Sequence, residues 1–295
     1  MGRPISKKHQ EKVAKLKASL PDLQRTKDIR GISINRVGVE NIDFLLNVEG
    51  KNGKKIPVQV KVDMFASLRH QVKGINMSRI LEVLMAYKDE VLTDIGIERL
   101  LQHLWEKMGT KDVEDTYIKI KFKYFLPKVA PVSKQTSMVA HDCWFVGILR
   151  NNRFHMEIGT EVLVTSNCPC SKAISKYGAH GQRSLCTVVI DKLPETRFWF
   201  EDLIPMIEAQ GSCEIYPLLK RVDEKYVTEK AYENPKFVED ISRDIATVLQ
   251  QSNLVRKFRI KVVNCESIHH HDAVSLIARK LRGTKWIPDD SAFKS

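Results

Sequence analysis

No stretch of this 295-residue chain approaches the run of about eighteen apolar residues that a membrane-spanning helix needs, so no membrane partner is expected. Nor does a basic, then apolar, then small-residue segment open it, which argues against secretion and for the cytoplasm. Without an oxidising compartment, the cysteines at 143, 168, 170, 186, 213 and 265 are expected as free thiols, available as ligands or nucleophiles. Aromatics are few, at 7%, and helix-turn-helix and zinc-finger spacings are missing. The positive charge of the chain is therefore not accompanied by a nucleic-acid-reading motif, and no nucleic-acid partner is expected.

What is present is a net charge of +12 and 43% hydrophobic residues, the make-up of an ordinary globular protein. Nine Lys/Arg against three acids stand within residues 1–30, a basic lead-in that reads as helical and is broken at Pro21. The milder excess elsewhere suits a polyanionic small molecule as well as a nucleic acid.

Runs Glu40–Val48 and Ile56–Phe65 flank Asn52-Gly53, the strongest short hairpin signal available. Apolar residues at helical spacing predict helices over Ser78–Tyr87 and from Thr93 to Gly109. Tyr117–Phe125 alternates as a half-solvated strand, and Asp142–Leu149 and Phe154–Thr165 flank an Asn151-Asn152 turn. The second half repeats that order: a strand at Leu185–Ile190, helices over Phe198–Gln210 and from Asn234-Pro235 to about Ser252, and a strand at Lys257–Val263. Asn234 is expected as the N-cap of the second helix and Pro235 as its first position. The pattern predicts an α+β fold built on antiparallel hairpins, with the lead-in at 1–30, a first module at 31–150 and a second at 151–295.

Chemistry concentrates in Cys168-Pro169-Cys170-Ser171-Lys172 and Tyr177-Gly178-Ala179-His180-Gly181-Gln182-Arg183. Pro and Gly predict a loop there, and thiolate with imidazole is a donor set that zinc and ferrous iron favour. The same residues also fit a plainer reading, a buried thiol and a surface histidine, and the segment alone does not separate the two. The charged run 218–229 reads as a solvated face, though Glu224 could supply an oxygen ligand and Lys220 with Arg221 could hold phosphate oxygens. Glu239 lies opposite the apolar stripe of its helix, either as a solvent-facing acid near the helix start or as a carboxylate for paired N–H donors such as those of guanine. His269, His270 and His271 follow a strand end, and alternate residues of an extended segment share a face, so His269 and His271 could point together with Glu266 nearby.

Taken together, Cys168-Pro169-Cys170-Ser171-Lys172, His180-x-Gln182-Arg183, Leu219-Lys220-Arg221-x-Asp223-Glu224, Pro235-x-Phe237-Val238-Glu239-Asp240 and Glu266-x-x-His269-x-His271 resemble the GTP cyclohydrolase IB family. These are metal-dependent prokaryotic enzymes that open folate biosynthesis. The resemblance spans about residues 20–275. It implies tandem tunnelling-fold modules, each a sheet with paired helices on one face, closed into barrels by assembly into a homotetramer with sites at subunit interfaces. It implies conversion of GTP and water to 7,8-dihydroneopterin triphosphate and formate. Cys168, His180 and Glu224, with His269, match its metal ligands, for which zinc, manganese and Fe(II) are equally suited. Glu239 matches the guanine anchor, and Cys170, Glu266 and His271 match polar catalytic positions. Arg79, Arg183, Lys220 and Arg221 are assigned to the triphosphate on charge. At Asn76 the family pattern would have His. Three rival readings are an archaeal-type cyclohydrolase giving the 2',3'-cyclic phosphate, a zinc-containing nucleic-acid-binding protein, and a nitrile reductase of the same fold, whose hallmark motif is missing.

Overall fold

In the computed structural model, which describes residues 6–193, 196–289 and 291, the basic lead-in forms helix α1 (Lys7–Ser19), ending before Pro21. Strands β1 (Ile34–Glu49) and β2 (Lys55–Leu68) then pair on either side of Asn52-Gly53, and Gly53 takes the positive φ of 70° that the turn requires. After them come α2 (Ser78–Ala86), the two-residue β3 (Val91–Leu92), α3 (Asp94–Met108), β4 (Asp115–Val129) and β5 (Thr136–Arg150). Asn151 and Asn152, at φ 49° and 57°, turn the chain tightly into β6 (Arg153–Asn167). The remainder runs α4 (Pro169–Ile174), β7 (Gly181–Lys192), α5 (Phe200–Glu208), β8 (Cys213–Glu214), α6 (Arg221–Glu233), α7 (Val238–Gln251), β9 (Val255–Cys265), β10 (Ala273–Arg282) and β11 (Lys285–Pro288).

All strands join one sheet in the order β11-β10-β9-β7-β6-β5-β4-β2-β1-β3, with β8 on β6. Every pairing is antiparallel except β1 with β3. The strand–strand–helix–helix–strand–strand order occurs in both halves; the first carries β3 in addition, and the second α4, β8, α6 and β11. The halves meet where β5 pairs with β6, from Asp142 opposite Glu161 to Arg150 opposite Arg153.

Alternation along the strands sends one face of the sheet under the helices. Ile118, Ile120 and Phe122 of β4, Ile158 and Val162 of β6, and Val188 and Ile260 on β7 and β9 all join a single apolar core. Onto it pack Ile97, Leu101 and Leu104 of α3 and Ile241, Ile245 and Leu249 of α7, each fully buried. The close seat of α3 depends on Gly147 of β5: a Cβ there would lie 2.7 Å from Ile97 Cγ2 and 3.1 Å from Ile118 Cγ2. The opposite face is polar and laced with ion pairs such as Lys121–Asp63 at 3.3 Å and Lys123–Asp142 at 2.6 Å.

Three local expectations need correction. The Cys/His segment is not all loop, because Pro169 opens the short helix α4, where its missing N–H costs nothing. The charged run is solvated as expected but folds as α6, whose exposed charges leave only a narrow apolar signature. And α7 starts at Val238, not at Pro235. Asn234 instead closes α6, its Nδ2 donating to the carbonyls of Gly211 and Ser212 at 3.1 and 3.2 Å. Among the described residues no helix is long and apolar enough to cross a membrane.

Candidate active site

Register brings Cys168 to His180. Because Asn167 at the end of β6 pairs with Gly181 at the start of β7, the ends of the connection 168–180 are held side by side. The Cys168 N–H donates to the His180 carbonyl at 3.0 Å. Ser171 clasps both residues. Its hydroxyl donates to the Cys168 carbonyl and accepts the His180 N–H, each at 3.1 Å, while its own N–H donates to Cys168 Sγ at 3.4 Å.

The His180 ring is held from β7 and β9. Nδ1 lies 3.0 Å from Gln182 Oε1 and 3.7 Å from Glu266 Oε2, just past the end of β9. Gln182 Nε2 donates to Ser166 Oγ at 3.1 Å, and Ser166 donates in turn to the Lys236 carbonyl at 2.8 Å. Asn264 Nδ2 reaches the same Ser166 oxygen at 3.4 Å, and Asn264 Oδ1 accepts from Ser184 Oγ at 2.6 Å. Ser166, Ser184 and Asn264 are buried polar residues in an otherwise apolar layer. Their positions are far apart in sequence, and only the strand order β6-β7-β9 brings them together; polar alternation gave no signal for them.

The other predicted residues are spread over several elements. Cys170 stands exposed in the first turn of α4. Lys220 and Arg221 lie at the exposed start of α6, followed by Glu224 on its surface. Glu239 is exposed in the first turn of α7, two residues past Phe237 and three past the Lys236 carbonyl that the Ser166 hydroxyl binds. His269 and His271 stand exposed between β9 and β10 with their rings stacked, centroids 5.0 Å apart, so they do share a face. Arg183 is exposed on β7. Arg79 stands apart: on α2 its Nη1 donates to the Lys107 carbonyl near the end of α3 at 3.2 Å, an internal tie in the first half of the chain. Asn76, where the family pattern would have His, lies just before that helix, and its carbonyl accepts the Arg79 N–H at 3.1 Å.

Cys168 is thus tied to His180 through the backbone and the His180 ring approaches Glu266, donor types that suit a borderline divalent ion. Among the described residues no three His, Cys, Asp or Glu side chains are already gathered as a metal cage. Accessibility separates the thiols sharply. Burial pushes the Cys143 and Cys186 thiols up to about 12, and burial with the Glu214 carboxylate pushes Cys213 up to about 11. Those three are inert, whereas Cys168 is half-buried and Cys170 and Cys265 are exposed.

Beside the cluster opens a cavity of about 860 Å³, lined by Gln182, Arg183, Tyr177, Tyr216 and Tyr232 among others, within the usual range for a small-molecule site. A smaller cavity of about 140 Å³ lies elsewhere, against Phe145, Phe198 and Trp199, and none of the predicted site residues line it.

Against known families, residues 20–275 match the model described as type I GTP cyclohydrolase FolE2. The chain belongs to this family. Among curated members, GTP cyclohydrolase FolE2 of Geobacter metallireducens is 44% identical over 267 residues, covering 90% of this chain and 99% of that one. The FolE2 proteins of Geobacter sulfurreducens and Nitrosococcus oceani are each 41% identical, over 89% and 88% of this chain and 99% and 96% of theirs. Among solved structures, uricase from Arthrobacter globiformis aligns with a TM-score of 0.53 at 10% identity, over 88% of this chain and 98% of that one, a likeness of fold alone. The α+β architecture expected from sequence is therefore shared with uricase.

Proposed function

We propose that this FolE2-family chain is a GTP cyclohydrolase of the IB kind, converting GTP and water to 7,8-dihydroneopterin triphosphate and formate in folate and pterin synthesis. The observation that carries the reading is the convergence of Cys168, His180 and Glu266 at the ends of β6, β7 and β9, within a chain of that family.

Cys168, His180 and Glu224, with His269, would hold a divalent cation (zinc, manganese or Fe(II)). When bound, that ion supplies the Lewis acidity that makes water nucleophilic at neutral pH. Glu239 accepts the N–H donors of guanine and so orients C8 of the imidazole ring toward the Cys168–His180 cluster. Water adds at C8 and the ring opens; a second hydration releases formate, and the ribose then rearranges and recloses on the diaminopyrimidine with loss of one water. Cys170, Glu266 and His271 carry protons in these steps, as thiol, carboxyl and imidazole groups that can each give or take one. Lys220, Arg221 and Arg183 bind the triphosphate. Arg79 joins them only across a subunit boundary, because within the chain it is tied to α3.

Assembly completes this picture. The sheet ends in open edges at β11 and β3, and open edges call for pairing or cover. Glu224, Glu239, Lys220, Arg221, His269 and His271 are all exposed in the single chain. Tandem tunnelling-fold modules closing into barrels in a homotetramer would cover both, with sites at the subunit interfaces. The test is incubation of purified protein with GTP and zinc, manganese or ferrous ion, followed by oxidation and chromatography. Fluorescent neopterin triphosphate is expected. A cyclic phosphate product would move the chain to the archaeal-type reaction, and no pterin with any ion would reject the reading.

A further inference from the structure

We propose that Gln182 is a positioning residue: a one-way chain of hydrogen bonds starting at the Lys236 carbonyl runs through Ser166 and Gln182 and leaves Nε2 of His180 as the bare nitrogen. This rests on the reading of His180 as a metal ligand, but the direction of the chain follows from its contacts alone.

The anchor is a group that can only accept. The Lys236 carbonyl, between α6 and α7, takes the single hydrogen of the Ser166 hydroxyl at 2.8 Å. With its hydrogen committed, Ser166 Oγ can only accept from its other neighbours. Gln182 must therefore present its amide NH₂ to Ser166 at 3.1 Å, and Asn264 must present its own at 3.4 Å. With Asn264 so oriented, its Oδ1 receives the Ser184 hydroxyl at 2.6 Å. With its NH₂ engaged, Gln182 has only its carbonyl oxygen left for His180 Nδ1 at 3.0 Å. That oxygen accepts, so Nδ1 must carry the hydrogen. The Glu266 carboxylate, 3.7 Å from the same nitrogen, favours the same placement. A neutral imidazole protonated at Nδ1 keeps its lone pair on Nε2, the nitrogen free of these partners and the one available to a cation.

Two consequences follow. Ring orientation and tautomer are set before any ion arrives, because Ser166, Ser184 and Asn264 are buried within the sheet layer. The chain also ties the imidazole to the backbone just ahead of α7, three residues before Glu239, so the predicted metal and base-binding ends share one rigid connection.

Two-bond proton–nitrogen correlation spectra of the full-length chain, with ¹⁵N-labelled imidazoles and metal removed by chelator, read the tautomer directly at pH 8. His180 is assigned by the signal lost in His180→Gln. The expected spectrum has His180 in the Nδ1–H form. In Gln182→Leu it shifts toward the Nε2–H form that free histidine favours, and zinc affinity by chelator competition falls about 10- to 100-fold. Gln182→Glu, which keeps an acceptor oxygen, retains the wild-type tautomer. If Gln182→Leu does not fold, Ser166→Ala serves: it frees the Gln182 amide to turn over and gives a mixed tautomer. An Nε2–H form in the wild-type chain, or Gln182→Leu and Ser166→Ala with unchanged tautomer and affinity, overturns the proposal. Wild-type protein in the Nδ1–H form that binds no divalent ion supports the hydrogen-bond chain and instead sinks the metal reading.

Discussion

The Asp223 carboxylate accepts the backbone N–H of Ser133 at 2.8 Å, across ninety positions of sequence, and the N–H of Val132 at the same distance. With the Lys220 N–H on its other oxygen at 2.9 Å, it pins the β4–β5 connection to the first turn of α6, the turn that carries Glu224. Burial opposes its ionisation, but the donors from Ser133, Lys220 and Val132 outweigh burial and hold its pKa well below the ordinary carboxylate range. A depressed folded pKa means stability that is full above the unfolded value of about 3.9 and lost as pH falls from there toward the folded value. Urea midpoints taken from pH 6 downward should therefore fall for the wild-type chain below about pH 4. Asp223→Asn is expected to be less stable at pH 6 and to show a flatter acid limb.

Helix α3 seats closely on the sheet at Gly147, and Gly147→Ala forces its new methyl into Ile97. Overpacking of this kind costs about 1–3 kcal/mol. Ile97→Ala in the same chain removes the Cγ2 methyl that the new group meets, so the double variant is expected to lose less than the sum of the singles by chemical denaturation. Strict additivity would mean that the sheet yields there instead.

Lys128 and Glu208 form a largely buried pair at 2.6 Å, with side-chain exposures of 15% and 8%. Burial raises the Glu208 pKa although Lys128 partly offsets it. Lys128→Met strands that carboxylate and is expected to cost about 3–5 kcal/mol, and Glu208→Gln, which strands no carboxylate, is expected to cost less. Equal losses in the two unfolding curves would contradict this asymmetry.

Thiol labelling of the native chain provides a test of the cysteine environments. Cys143, Cys186 and Cys213 are expected to stay unmodified until the protein unfolds, while Cys168 and Cys170 react. Zinc added beforehand should protect Cys168. Mass spectrometry of the labelled peptides reads each site separately, and labelling of Cys168 that zinc leaves unchanged would remove it from the ligand set.

Much of the fold was legible in the sequence because its signals are local. Asn52-Gly53 and Asn151-Asn152 supply positive φ where two extended runs meet, and the stripe from Ile97 to Leu104 has a clean helical period. The failures have local causes as well. Helix α6 turns so few side chains inward that its pattern reads only as a solvated charged face, and Asn234-Pro235 fits a helix start as well as the helix end that it forms. At the candidate site, Cys168, His180 and Glu266 stood out by residue type, and the fold brings them together. Ser166 and Asn264 carried no such mark, and Gln182 stood in the motif without a role, because ordinary polar residues acquire a role only from strand neighbours that sequence spacing does not reveal.

Release of labelled formate from GTP labelled at C8, by the wild-type chain and by His180→Ala at equal concentrations with added manganese, tests the assignment most directly. Wild-type protein is expected to release one formate per GTP consumed. His180→Ala, folded by its thermal midpoint, should fall by more than the roughly 100-fold that loss of a mere supporting partner causes. Formate released by the variant at the wild-type rate would contradict a site built on Cys168 and His180.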